Sequence, residues 1–290
     1  MSINKYIYDD TYIYNLNIEG QMILKNPSRR KRMMNQETLN QKKFSRAKRL
    51  NCGFNEKIFD LSNMAETLKE LNCVGSSCGI DQNSIIILKN LRVLQCDMNR
   101  KIYSVNHLSE TLEELYCGYG CGIDQAGISE LKKIRIINCS SNSKINSVNH
   151  LSDTLRKLVC CLESNIDQKG INKLKYLEML DCCYNRKITD LGHLCRTLKE
   201  LYCTGKECGI DQNGILELLQ IEKLVCNLNN KIYDINHMNQ LKILGCRGES
   251  GISEKGISKL ENLKYVDACG NSEITKNYTK GCNELYFRNM

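Results

Sequence analysis

The side chains of this 290-residue chain best suited to chemistry are its 18 cysteines and four histidines. His107, His150, His193 and His237 are spaced 43, 43 and 44 residues apart, so they occupy one position of a repeating unit. Consecutive histidines then lie two repeats apart, roughly 10 Å by strand spacing. A zinc ion holds its nitrogens about 2 Å away, so no two of them can share one. Asn63 fills the slot in the first copy. A histidine acting as base needs a nucleophile beside it, and none recurs there. The four are read as surface residues of a repeat consensus.

The cysteines divide into sets. Cys78, Cys121 and Cys208 fall in alternate repeats, too far apart to form disulfides with one another. In the doublets Cys160-Cys161 and Cys182-Cys183, the first thiol is expected to point inward and the second outward. Cys161 and Cys183 then sit on adjacent strands, where two thiols can touch, oxidise or bind a soft metal. Four good zinc ligands are not visible there, so no metal and no cofactor is expected. The chain has no G-x-x-x-x-G-K-[ST] and no G-x-G-x-x-G opening a helix. Gly118, Gly120 and Gly122 alternate only within a repeat turn, and no pair of carboxylates converges. No catalytic residue is assigned, and no enzyme is expected.

The elements carrying these residues are repeats. Cys52, Cys73, Cys96, Cys117, Cys139, Cys160, Cys182, Cys203, Cys226 and Cys246 follow one another at 20 to 23 residues, each closing an L-x-x-L-x-C unit. Leu263, Val266 and Ala268 make an eleventh copy without the thiol, and Leu285 and Phe287 start a truncated twelfth. Two unit types alternate. One places Asn three residues after the Cys and then Lys-Ile, as in Cys96, Asn99, Lys101 and Ile102. The other reads G-I-D-Q-x-G-I-x-x-L, as in Gly122 to Leu131. The pattern resembles the leucine-rich repeat family, L-x-x-L-x-L-x-x-N/C-x-L, with Cys in the third leucine position. The cysteine substitution and the Asn, Ile, Lys and Tyr bias also resemble leucine-rich repeat proteins of giant DNA viruses of amoebae. The resemblance implies an α/β solenoid, a horseshoe with a parallel concave β-sheet and short helical or irregular convex segments. It also implies recognition of a protein on the concave face.

The alternation L-x-L-x-C turns one side of each strand inward, and stacked repeats bury that side as a continuous core. Asn of the first type is expected to bond backbone groups at the turn leaving the strand. Asp81, Asp124, Asp167 and Asp211 are expected to cap a convex helical turn. Gly127, Gly170, Gly214 and Gly256 follow where a Cβ would crowd a neighbouring coil, with Ser84 in that place in the first copy. Two outward columns mix acids, bases, apolar residues and tyrosines. That does not suit a phosphate backbone, which needs accumulated positive charge, but it suits a protein surface. Tyr116, Ile136, Met179 and Tyr202 are the candidate anchors for a protein partner.

Residues 1–46 form a basic N-terminal segment or cap, and 47–290 the solenoid of about 11 repeats of 20–23 residues. Residues 1–50 hold 11 basic and 4 acidic residues, a net charge of +7 within a whole-chain charge of +8. Residues 29–49 are thus the one stretch where a nucleic-acid partner is possible. Tyr6, Tyr8, Tyr12 and Tyr14 around Asp9-Asp10 suggest a hairpin. The first twenty residues lack the apolar core of a signal peptide, and no membrane span is expected. Free thiols and an intracellular setting, cytoplasmic or nuclear, in a host cell if viral, are therefore expected. The alternative functions are substrate adaptor of a ubiquitin ligase, or a nucleic-acid-associated protein using the basic N-terminus.

Overall fold

In the computed structural model, residues 7–8, 14–16, 22–24, 35–275 and 284–286 are described. They divide into two compact units, Met1–Leu131 and Lys132–Met290. In the first, the three-residue strands Arg49–Asn51, Glu70–Asn72, Val93–Gln95 and Glu114–Tyr116 pair in parallel and in sequence order. In the second, Ile136–Asn138, Lys157–Val159, Met179–Asp181, Glu200–Tyr202, Lys223–Val225, Ile243–Gly245, Tyr265–Asp267 and Glu284–Tyr286 do the same. The middle residue of each strand from Leu50 to Val266 is buried, and the ten ladder cysteines and Ala268 are at 0% exposure. Burial raises the thiols of Cys73, Cys96, Cys160, Cys203 and Cys246, and pushes Cys139 and Cys226 up to about 12.

The Asn of the first unit type links the coils. Asn185 is 1% exposed, and its amide donates to the carbonyls of Cys160 at 2.9 Å and Ile166 at 3.1 Å. Its Oδ1 accepts from the Lys187 N–H at 2.8 Å. Asn99, Asn229 and Asn271 repeat this arrangement. The consensus lysine reaches back as well: Lys101 donates to the Cys78 carbonyl and Lys231 to that of Cys208. In the second unit type a small side chain replaces the Asn. Cys78 and Cys208 turn their Sγ to the carbonyls of Cys52 and Cys182, at 3.3 and 3.5 Å. Cys121 approaches the sulfur of Cys96 at 3.6 Å. Ser164 and Ser250, both buried, stand at the same place in their units.

On the opposite side the expected caps are present. Asp81, Asp124, Asp167 and Asp211 accept the N–H three residues on, at 2.8 to 3.1 Å. A Cβ on Gly214 would lie 2.1 Å from the Thr189 carbonyl oxygen, a distance no side chain tolerates. Where Ser84 takes that glycine's place, its hydroxyl hydrogen-bonds the corresponding carbonyl of Phe59 at 2.6 Å.

The chain before the first ladder cysteine joins this scheme. Ile7–Tyr8 pairs in parallel with Leu50 and Asn51, and Tyr14–Leu16 pairs antiparallel with Met22–Leu24. The turn at Asp9-Asp10, about which a hairpin was expected, lies outside the described residues, as do 29–34 of the basic stretch. Gln36 opens the helix Gln36–Leu39, and its amide binds the Asp60 carbonyl at 2.8 Å and the N–H groups of Phe59 and Asp60 at 2.9 and 3.0 Å. Gln82 does the same to Tyr103 and Ser104 in a later coil. Leu39 is fully buried. Deleting residues 1–34 is therefore expected to leave cooperative thermal unfolding in place. Deleting 1–46 strips Gln36 and Leu39 from the first coil and is expected to lower the midpoint by several degrees or cause aggregation. Equal melting of the two truncations would refute the assignment of 35–39 to the repeat stack.

Candidate binding surface

Strand residues on either side of each buried middle position face outward. In the second unit one row runs Ile136, Lys157, Met179, Glu200, Lys223, and the next runs Asn138, Val159, Asp181, Tyr202, Val225. Met179 and Tyr202 thus lie on neighbouring strands, and Lys157 separates Ile136 from Met179 within one row. Tyr116 lies on the first unit, in register with Gln95. All four candidates are partly exposed.

The backbone ladder continues past the strands. The N–H of Leu162 donates to the Cys183 carbonyl at 2.9 Å, and that of Tyr184 to Thr204 at 2.9 Å. A third column follows the ladder cysteines, Gly53, Val74, Asp97 and Gly118 in the first unit, and Ser140, Cys161, Cys183, Thr204, Asn227, Arg247 and Cys269 in the second, with all but Gly118 and Ser140 partly or fully exposed. The next residue of every coil is left-handed. Phe54, Met98, Tyr119, Ser141, Leu162, Tyr184 and Leu228 have φ between 51° and 61°, and glycine fills the place in the other coils. A non-glycine residue in this region costs on the order of 1 kcal/mol, so tertiary packing imposes it. At Gly205 both reasons for glycine coincide: φ is +106°, and a Cβ would meet the Tyr184 ring at 2.5 Å.

No protein-family model matches the chain, and no curated protein matches it. Solved structures do. An internalin of Listeria monocytogenes is similar over 86% of this chain and 83% of its own, at 18% identity and a TM-score of 0.54. The crystal structure of the Rad7 and Elc1 complex in yeast holds a chain similar over 84% of this one and 80% of its own, at 17% identity and a TM-score of 0.52. The fold is that of the leucine-rich repeat.

Several outward side chains of these leucine-rich repeats are held in place. Tyr116 and Tyr202 each donate a hydroxyl to the glutamate two residues earlier, Glu114 and Glu200, both at 3.1 Å. Lys223 sits 5.0 Å from the Tyr202 ring centre. Burial, then the Glu114 carboxylate, pushes the Tyr116 phenol up to about 12, and burial raises Tyr202 as well. Both phenols stay neutral donors at physiological pH. On the first unit a depression of about 80 Å³ opens among Leu50, Glu70, Leu71, Val93 and Gln95. Small-molecule sites run from about 300 Å³ upward. A wide, open hollow lies at Lys48, Arg49, Lys69, Glu70 and Arg92.

The histidine slot has a structural occupation. Nε2 of His107, His193 and His237 lies 3.0 to 3.1 Å from the carbonyl of Ile85, Ile171 and Ile215 in the preceding coil, and Asn63 donates to Leu39 in the same way. Burial lowers the affinity of His107 and His193 for a proton. Cys161 and Cys183 do come together, and a third group joins them. The Cys161 thiol donates to Asp181 Oδ1 at 2.9 Å, and that oxygen also accepts the Cys183 N–H at 3.2 Å. The Cys183 sulfur, then burial and the Asp181 carboxylate, hold the Cys161 thiol well above the usual thiol range.

Proposed function

We propose that the chain is a non-enzymatic scaffold that grips a protein partner on the open face of its repeats, with Met179, Tyr202 and Ile136 as anchors on the second unit and Tyr116 on the first. The observation carrying this reading is the pair of tyrosines tied to Glu114 and Glu200: aromatic side chains already fixed lose little freedom on docking. The mixture of Lys157, Glu200, Lys223 and Asp181 around them suits orientation of a protein surface better than a grip on phosphates. No described helix is long and apolar enough to cross a membrane. The compositional likeness to repeat proteins of giant amoeba viruses makes a host protein the natural partner. The adaptor reading would have that partner delivered to a ubiquitin ligase through residues ahead of the repeats.

Nucleic-acid binding stands second, on Lys48, Lys69 and Arg92, which follow one another along one edge of the first unit. Glu70 pairs with Arg49 at 2.8 Å and Glu113 with Arg92 at 3.7 Å, which tempers the field of that edge. The test is affinity purification from native cells, followed by titration of the captured protein against Met179→Ala and Tyr202→Ala. Each true anchor is expected to cost about 2 kcal/mol, close to thirtyfold in Kd. Unchanged affinity in the double variant would overturn the open-face reading. Capture that disappears with nuclease treatment or moderate salt would hand the function to the basic edge.

A further inference from the structure

We propose that Cys161, Asp181 and Cys183 form a binding site for one borderline-soft divalent cation, with zinc the best fit to the donors. The donor atoms of the three side chains lie within 4.8 Å of one another on neighbouring coils of the second unit. Two thiolates bound tetrahedrally at about 2.3 Å from zinc sit about 3.8 Å apart. The parallel ladder holds the two coils in register at Val159 and Asp181, which sets Cys161 beside Cys183.

The surroundings favour a metal over a disulfide. Asp181 stands between the coils as a carboxylate ligand, already turned to the Cys161 sulfur at 2.9 Å. A disulfide would discard that contact. Cys183 Sγ accepts the backbone N–H of Thr204 at 3.3 Å, the kind of outer hydrogen bond that supports a metal thiolate. The Cys161 N–H is fixed by the Ser140 hydroxyl at 3.3 Å, and the Asp181 carboxylate by the Cys183 N–H at 3.2 Å. Asp181 and Cys183 are partly exposed, so water can take the fourth position from their side. On binding, each thiol gives its proton to solvent and its sulfur a lone pair to the metal. No electron changes hands.

The experiment is a titration of reduced, metal-free full-length protein with zinc against a chromophoric chelator, repeated with cobalt. One equivalent is expected to bind, and the cobalt form is expected to show sulfur-to-metal charge transfer in the near ultraviolet. Cys161→Ser and Cys183→Ser are each expected to abolish that band, and Asp181→Asn to weaken binding at least about tenfold. Circular dichroism and thermal melting of the metal-free variants should match the parent, since none of the three side chains belongs to the buried ladder. Three results would overturn the site: no stoichiometric zinc uptake, full uptake in the Cys161→Ser/Cys183→Ser double variant, or a spontaneous Cys161–Cys183 disulfide that forms in place of the metal complex.

Discussion

Replacing Asn185 with leucine is expected to destabilise the chain by at least about 3 kcal/mol. Leucine shares asparagine's branching and its number of side-chain heavy atoms, so the change chiefly removes hydrogen bonds. It leaves the Cys160 and Ile166 carbonyls buried without their partner, and the half-buried Lys187 N–H without its acceptor. Each such group costs about 1–3 kcal/mol when its partner is lost. Asn185→Ser should lose less, because Ser164 and Ser250 already serve at the related position of the alternate units. Urea unfolding followed by circular dichroism measures both. A leucine variant within about 1 kcal/mol of the parent would show that the asparagine row is ornamental.

Cys139→Asp should have a still larger effect. Cys139 is at 0% exposure, and its sulfur has the Val159 carbonyl at 3.7 Å and the Ser164 hydroxyl beside it, but no cation. An aspartate there would bury an unpaired charge, which costs more than most single substitutions. Its folded-state pKa would be raised above the unfolded value. The penalty is therefore absent when the carboxyl is protonated and grows as pH rises above the ordinary aspartate range near 3.9. At neutral pH this variant is expected to lose cooperative unfolding. Cys139→Ala, which only opens a small space, should cost about 1 kcal/mol. Pulse alkylation with mass readout checks the mechanism. In the parent, ladder thiols should react only after denaturation, whereas in the aspartate variant those of the second unit should react at once. A native aspartate variant with protected thiols would refute this account of the ladder.

The strict positions announced themselves in the chain. The ladder cysteines, the asparagines three residues on, and Asp167 with Gly170 are where sequence alone put them, because each is forced by burial, an orphaned carbonyl or a Cβ clash. Ser164 and Ser250 were missed because the residue type changes: Cys121 lies four residues after Cys117 and reads as one of a set of cysteines, whereas a serine four after Cys160 or Cys246 carries no such mark. The left-handed row was missed for a different reason. Phe54, Met98, Tyr119, Leu162, Tyr184 and Leu228 are none of the residue types that favour positive φ, and only stacking of whole coils puts them there. Cys161 and Cys183 were legible as outward neighbours. Asp181 was legible only as one member of a mixed column, because joining it to the thiols needs the rung of backbone pairing that extends beyond the strands.

The reach of each buried asparagine back to the preceding coil has a consequence for synthesis. Asn99 satisfies the carbonyl of Cys73, 26 residues earlier, and Asn185 satisfies that of Cys160, 25 residues earlier. A coil leaving the ribosome therefore carries carbonyls that nothing yet emerged can cover. Its interior becomes dry only once the following coil has been translated and docked. Folding along the nascent chain must trail the exit tunnel by about one coil, and a translational pause within a unit leaves a wetter, more fragile end than a pause just after an asparagine.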